Sequence, residues 1–190
     1  MLNLIIFGAP GAGKGTQASQ IAVRYNLIHL STGDLFRAEI AKGSEIGLKV
    51  KSYIDAGGLA PDELTIEVFS KRLESGHNSA GFILDGFPRT LKQAESLDRI
   101  FSKQELTLHG ALFLEVPEKE LIDRLLLRGK ASGRSDDNEE VIKQRLAVYE
   151  EQTAPLVEYY KKHDKFSAID GVGDINHIFD NLCQEIDSLK

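Results

Sequence analysis

Leu2-Asn3-Leu4-Ile5-Ile6-Phe7-Gly8-Ala9-Pro10-Gly11-Ala12-Gly13-Lys14-Gly15-Thr16 is the stretch whose reading decides the fold. Six residues of strand length and apolar character meet a glycine-rich turn, and a helical period begins at Lys14. G-x-x-x-x-G-K set between a strand and a helix is the pattern of a phosphate cradle. Glycines let successive backbone N–H groups converge on phosphate oxygens without side-chain obstruction. The helix N-terminus adds partial positive charge. Lys14 adds a point charge for the outer phosphates of a polyphosphate. Gly15 follows the lysine where Ser or Thr is usual, and Thr16 comes one place later. The usual hydroxyl ligand to Mg²⁺ is therefore missing, and the metal is expected to be held through phosphates and waters, as suits a cation that dehydrates reluctantly.

Outward from this stretch, apolar strand-length runs alternate with helical periods. Strands are predicted at residues 2–7, 28–30, 82–84, 111–116 and 166–169. Helices are predicted at 14–25, 34–41, 45–56, 63–74, 91–101, 119–128, 139–162 and 175–189. That alternation predicts an α/β fold, three layers α/β/α with a five-stranded parallel sheet covered on both faces. Residues 31–61 hold two helices with no strand between them. Residues 129–137 are polar and contain Gly129 and Gly133, and Asp136 with Glu139 reads as a capping box for the helix that follows.

The 190 residues suit one domain. A net charge of −6 and a pI near 5.4 argue against nucleic acid or an anionic membrane as partner, though not against a local basic pocket. Cys183, the single cysteine, excludes an internal disulfide and reads as a small buried hydrophobe beside Ile178, Phe179, Leu182 and Ile186. The five histidines lack metal-ligand spacing. The first apolar run is too short for a signal peptide or a membrane span, so a cytoplasmic protein is expected.

Gly81-Phe82-Ile83-Leu84-Asp85 is an apolar strand ending in a carboxylate, which a parallel sheet would turn toward its ligand crevice. Asp85 there can anchor waters around Mg²⁺. Gly86-Phe87-Pro88-Arg89 follows directly, with Gln93 four residues on; Ser31-Thr32-Gly33-Asp34-Leu35-Phe36-Arg37 and Thr153-Ala154-Pro155-Leu156 lie on either side. With these motifs the sequence resembles the adenylate kinases from Leu4 to about Leu182.

The resemblance implies a reversible Mg²⁺-dependent transfer of phosphoryl between ATP and AMP. Gly11, Ala12, Gly13, Lys14, Gly15, Thr16 and Arg128 match residues that hold ATP phosphates. Arg124 matches an arginine over the ATP adenine, and Gly173 a backbone position at that base. Thr32, Arg37, Gly58, Leu59, Ala60, Gly86, Phe87, Pro88, Arg89 and Gln93 match the AMP pocket. Arg134 and Arg145 match arginines that grip phosphates when a lid closes, and with Lys14, Asp85 and Arg89 they form the implied catalytic set. The resemblance also implies one domain over residues 1–190, with an AMP-binding flap at 31–60 and a short lid at 127–137 as mobile insertions. It implies a monomer whose partners are ATP, AMP and ADP. The short lid lacks the cysteine cluster of zinc-binding relatives, so no zinc is expected. Ala60 stands where a larger aliphatic residue is common.

The residues themselves agree with this in part. Arg124 and Arg128 share one helix face at i, i+4. Arg37, Arg89, Arg124, Arg128, Arg134 and Arg145 are six of only nine arginines in an acidic chain, and guanidinium binds phosphate bidentately. A UMP/CMP kinase is the neighbouring alternative, although that relative typically carries Ala in place of Thr32 and Asn in place of Gln93. A nucleotide-dependent switch is the alternative from another class, although the guanine-reading Asn-Lys-x-Asp of GTPases is absent.

Overall fold

The computed structural model describes residues 1–74, 80–132, 134 and 136–189. Its strands are β1 (Leu2–Phe7), β2 (Ile28–Ser31), β3 (Gly81–Asp85), β4 (Gly110–Glu115) and β5 (Phe166–Asp170). They form one five-stranded sheet in the order β2-β3-β1-β4-β5, each neighbouring pair parallel. The helices are α1 (Lys14–Tyr25), α2 (Thr32–Lys42), α3 (Glu45–Asp55), α4 (Asp62–Glu74), α5 (Leu91–Lys103), α6 (Glu118–Ser132), α7 (Glu139–Val148), α8 (Leu156–Lys162) and α9 (Ile175–Ser188).

The period-2 geometry of a strand divides β1 between two cores. Leu4 and Ile6 pack with Ala18 and Ile21 of α1 and with Ile178, Leu182 and Ile186 of α9. Ile5 and Phe7 pack with Phe69 of α4, Leu97 and Phe101 of α5, and Tyr160 of α8. Both faces of the sheet are thus covered by helices, the three-layer arrangement expected of parallel strands. Phe36, Val50 and Ala60 form a third, small cluster joining α2 to α3.

Register brings the carboxyl ends of three strands to one rim. Ile6 lies opposite Asp85, and Ser31 lies opposite the same Asp85 from the other side. The glycine-rich turn after β1, the start of α2 after β2 and the Gly86–Arg89 turn after β3 are therefore neighbours before any side chain is considered.

Two expectations change. The helix predicted over residues 139–162 is interrupted: α7 ends at Val148, Tyr149–Thr153 forms a π turn, and α8 begins after Pro155. Proline has no N–H to donate and its ring clashes with the preceding turn. Ala154 N–H instead donates to Tyr149 O at 2.8 Å, the wider i→i+5 bond of a π turn. The capping box at Asp136 and Glu139 is not used. Asn138 caps α7 by accepting from Val141 N–H at 3.1 Å, because the Asp136 carboxylate turns to Arg145 at 3.0 Å.

Helix α6 also runs on to Ser132, so the stretch that begins at 127 starts as helix. Gly129 serves close approach within it, since a Cβ there would stand 2.6 Å from the Asp137 carbonyl oxygen. Gly133 lies outside the described residues.

Candidate nucleotide site

Above that rim is a cavity whose lining includes Gly8, Pro10 and Lys14 from the loop, Thr32 and Arg37 from α2, and Gly57 to Ala60 after α3. Gly86, Pro88, Arg89, Gln93, Arg145, Tyr149 and Thr153 complete the wall. One cavity so unites Lys14, Thr32, Arg37, Gly58, Leu59, Ala60, Gly86, Pro88, Arg89, Gln93 and Arg145 of the residues singled out from sequence. Phe87 is different: its ring is fully buried and stacks on Phe69 at 4.1 Å between centroids. Its side chain belongs to the core, and only its backbone can serve the turn.

The loop that carries Lys14 folds on itself. Ala12 N–H donates to Ala9 O at 3.1 Å, and the Ala12 side chain packs into the core. The Lys14 ammonium donates to Gly8 O at 2.8 Å and Ala9 O at 2.9 Å. Burial lowers the pKa of Lys14 to about 7, against the pull of Asp85 and with added pressure from Arg89, Arg145 and Arg128. Thr16 is exposed at the start of α1. Gln17, one turn on, ties α1 to the first residue of α9 by donating to Ile175 O at 3.0 Å. Gly173 lies in the turn just before α9, on this same side.

Asp85 closes β3 beside the loop. Burial pushes its carboxyl up, but His29 at 3.4 Å, Lys14 and Arg89 outweigh that and hold it below the usual range. A Cβ at Gly15 would stand 3.5 Å from Asp85 Oδ2, so the missing side chain leaves the space beside this oxygen open.

Arg89 lies in the cavity wall, tied on three sides. Its Nε donates to Gly86 O at 2.9 Å, its carbonyl accepts from the Thr153 hydroxyl at 2.9 Å, and its N–H donates to Gln93 Oε1 at 2.8 Å. Burial and then Arg145 press its pKa downward, with Arg37 adding to the pressure. Among the described residues no carboxylate stands within ion-pair distance of Arg89 or Lys14. Thr32, at the start of α2, donates to Gly86 O at 2.6 Å and so joins the β2 and β3 turns.

Four of the other arginines singled out from sequence are already paired. Arg37 pairs with Asp34 and Arg124 with Glu120. Arg128 holds Asp137 with both Nε (2.7 Å) and Nη2 (2.8 Å). Arg145 Nη1 reaches the same Asp137 at 2.6 Å and Asp136 at 3.0 Å. The Asp137 side chain is fully enclosed; burial would raise its pKa, and Arg128 with Arg145 hold it down instead. The guanidinium of Arg134 feels Arg37 and Arg128 as like charges, with Asp136 and Asp137 opposing them. Arg124, Arg128, Arg134 and Gly173 lie outside the cavity lining.

Sequence reasoning missed Asp136 and Asp137 as partners of arginine, Asp62 as a partner of Gln93, and the link from Thr153 to Arg89. Thr153 lies in a quoted motif, which was the available signal. Asp136 offered only a cap pattern and Asp137 none, and their true partners lie on helices to either side.

The adenylate kinase family model matches residues 6–165 of the chain. The chain belongs to the adenylate kinase family. It is 50% identical over 189 residues to proteins named adenylate kinase from Bacteroides fragilis and Bacteroides thetaiotaomicron, and the match covers the whole of both chains in each case. It is 45% identical over 190 residues to an adenylate kinase from Flavobacterium psychrophilum, again along the whole of both chains. The P-loop α/β architecture expected from sequence is the fold of this family member. Among the described residues no helix is long and apolar enough to cross a membrane, and no group of three or more His, Cys, Asp or Glu is placed to hold a metal ion.

Proposed function

We infer that the chain is a phosphotransferase of the adenylate kinase reaction, ATP + AMP = 2 ADP, working in the cytoplasm as a monomer. The observation that carries this is the gathering of Lys14, Arg37, Arg89 and Arg145 in the lining of one cavity that also holds Gln93. Like charges gathered in this way favour a polyanion in the cavity. Gln93 in the same lining supports a base reader, as carboxamides read adenine elsewhere.

On this reading residues 11–16, Arg124, Arg128 and Gly173 receive ATP, while Thr32, Arg37, Gly58 to Ala60, Gly86 to Arg89 and Gln93 receive AMP. Mg²⁺ arrives with ATP, and the open space between Asp85 Oδ2 and Gly15 fits water-mediated anchoring of that ion. The ion neutralises phosphate charge when bound. The AMP phosphate is itself the attacking group, so no general base is required. Lys14, Arg89, Arg134 and Arg145 align donor and acceptor and stabilise the charge of the transferring group. Residues 31–60 and 127–137 act as flap and lid, excluding water that would otherwise take the phosphoryl group.

A coupled assay of ATP against AMP, CMP, UMP and GMP tests the reading. AMP is expected to lead by about fivefold to 150-fold in kcat/KM, the effect of about 1–3 kcal/mol for an unpaired buried amide. Comparable values for UMP or CMP would favour the pyrimidine alternative, and release of inorganic phosphate without acceptor would favour a switch protein.

A further inference from the structure

Gln93 is only 1% exposed, lines the cavity, and has both ends of its carboxamide engaged. Its Oε1 accepts from Arg89 N–H at 2.8 Å, and its Nε2 donates to Asp62 Oδ1 at 2.7 Å. The same Asp62 oxygen accepts from the Thr90 hydroxyl at 3.1 Å. That hydroxyl in turn accepts from Gln93 N–H at 3.2 Å, so Gln93, Asp62 and Thr90 close a ring of bonds. A primary carboxamide is nearly symmetric in shape, and a rotation of its last torsion exchanges donor for acceptor. Here the exchange is blocked by chemistry. A peptide N–H can only donate and a carboxylate can only accept, so the flipped amide would face donor with donor and acceptor with acceptor.

We propose that Asp62 is a positioning residue for the choice of acceptor base. By fixing the sense of the Gln93 amide, it leaves one N–H and one carbonyl lone pair to face the cavity in a single order. That order suits a purine with an amine at C6 and a bare N1. It opposes a 6-oxopurine, whose N1–H donates and whose O6 accepts. A site that hydrogen-bonds its substrate rejects the mismatched analogue because its own buried groups are left unpaired. The inference rests on Gln93 as the reader of the base.

Asp62 also lies in the first turn of α4, where a carboxylate favours the helix dipole. A role confined to that helix would lower stability and affect every acceptor alike. A role through Gln93 changes the preference between acceptors.

The experiment measures kcat and KM with AMP and with inosine monophosphate, at fixed ATP, for wild type, Asp62→Asn and Asp62→Ser. Asparagine is isosteric and can rotate to donate or accept, so it removes the Asp62 half of the lock and leaves the Arg89 N–H alone to set the orientation of Gln93. Serine is the second variant, should asparagine impair folding; melting temperatures are recorded for all three proteins. The AMP-to-inosine-monophosphate ratio of kcat/KM is expected to fall by roughly fivefold or more in the variants, the worth of about one hydrogen bond. The change should lie mainly in KM, with kcat on saturating AMP largely kept. A wild-type enzyme indifferent to the two acceptors overturns both the base-reader assignment and this proposal. A selective wild type whose variants keep the same ratio, losing equally on both acceptors, overturns the role of Asp62 alone.

Discussion

Lys14 shows how enclosure changes the chemistry of a single side chain. Its ammonium rests on two loop carbonyls, and burial lowers its pKa to about 7 from an ordinary 10.5. The sign follows from linkage. Below about pH 7 both folded and unfolded chains carry the proton, and the full cost of enclosing the ammonium is felt. Between about pH 7 and 10.5 only the unfolded chain keeps it, so this group's contribution to stability rises with pH. Lys14→Met should therefore raise the melting temperature of the nucleotide-free protein at pH 6.5, with the gain shrinking as pH climbs toward 10. The same variant should lose about 10²–10³ in kcat, the scale of a lost transition-state donor. A polyphosphate beside Lys14 restores the ammonium. Binding of ATP near pH 8 should therefore take up a fraction of a proton, seen as different apparent enthalpies in two buffers of unlike ionisation enthalpy. Equal enthalpies would contradict this account of the lysine.

At the scale of elements, α7 and its neighbours carry more of the site than their sequence suggests. The five strands and α1 were legible because apolar periodicity is a local signal, and the bounds of α1 and β1 matched residue for residue. The break between α7 and α8 was less so, because an amphipathic pattern continues through it. Only Pro155 marks it, and the π turn before that proline is what places Tyr149 and Thr153 in the cavity wall. Thr153→Val removes the bond to the Arg89 carbonyl and should cost about 1 kcal/mol of stability. It should raise KM for AMP more than KM for ATP in steady-state kinetics. The pairing of Asp136 and Asp137 with Arg128 and Arg145 was not legible at all. Those partners are eight or nine positions away on two helices, and only their packing brings them together. Asp137→Asn leaves two guanidinium groups without their shared carboxylate. The expected loss is about 1–3 kcal/mol at neutral pH, less than for a fully buried pair because Arg128 is 36% exposed. The folded-state pKa of Asp137 is lowered, so this stabilisation is present above the unfolded carboxylate value and fades as pH falls through the folded one. Chemical denaturation of both proteins at pH 7 and again below the unfolded carboxylate value checks it: the gap between the two should narrow as pH falls.

Over the whole molecule, an acidic chain of net charge −6 sets Lys14, Arg37, Arg89 and Arg145 about one cleft. KM for ATP should therefore rise with ionic strength as screening weakens the pull on the anion. The proposed flap also depends on a close approach that spans the molecule. Gly57, at φ 75°, stands where an added Cβ would lie 3.0 Å from Val141 O and from the Arg145 side chain. Gly57→Ala should cost about 1–2 kcal/mol for the left-handed backbone alone. It should also raise KM for AMP with little change in KM for ATP; equal changes in both would mean that this contact does not serve the acceptor side.

The order of the strands has a consequence for how the protein is made. β1 is synthesised first but lies at the centre of the sheet, between β3 and β4. Its second neighbour is complete only when Glu115 has been added. At about 5–20 residues per second, the strand that bears the glycine-rich loop waits roughly 5–20 s for its flanks. Until Asp85 has been added the nascent chain carries an apolar ribbon with both edges open, and one edge stays open until β4 is made; ribosome-bound fragments that stop short of residue 110 should be unable to retain a nucleotide.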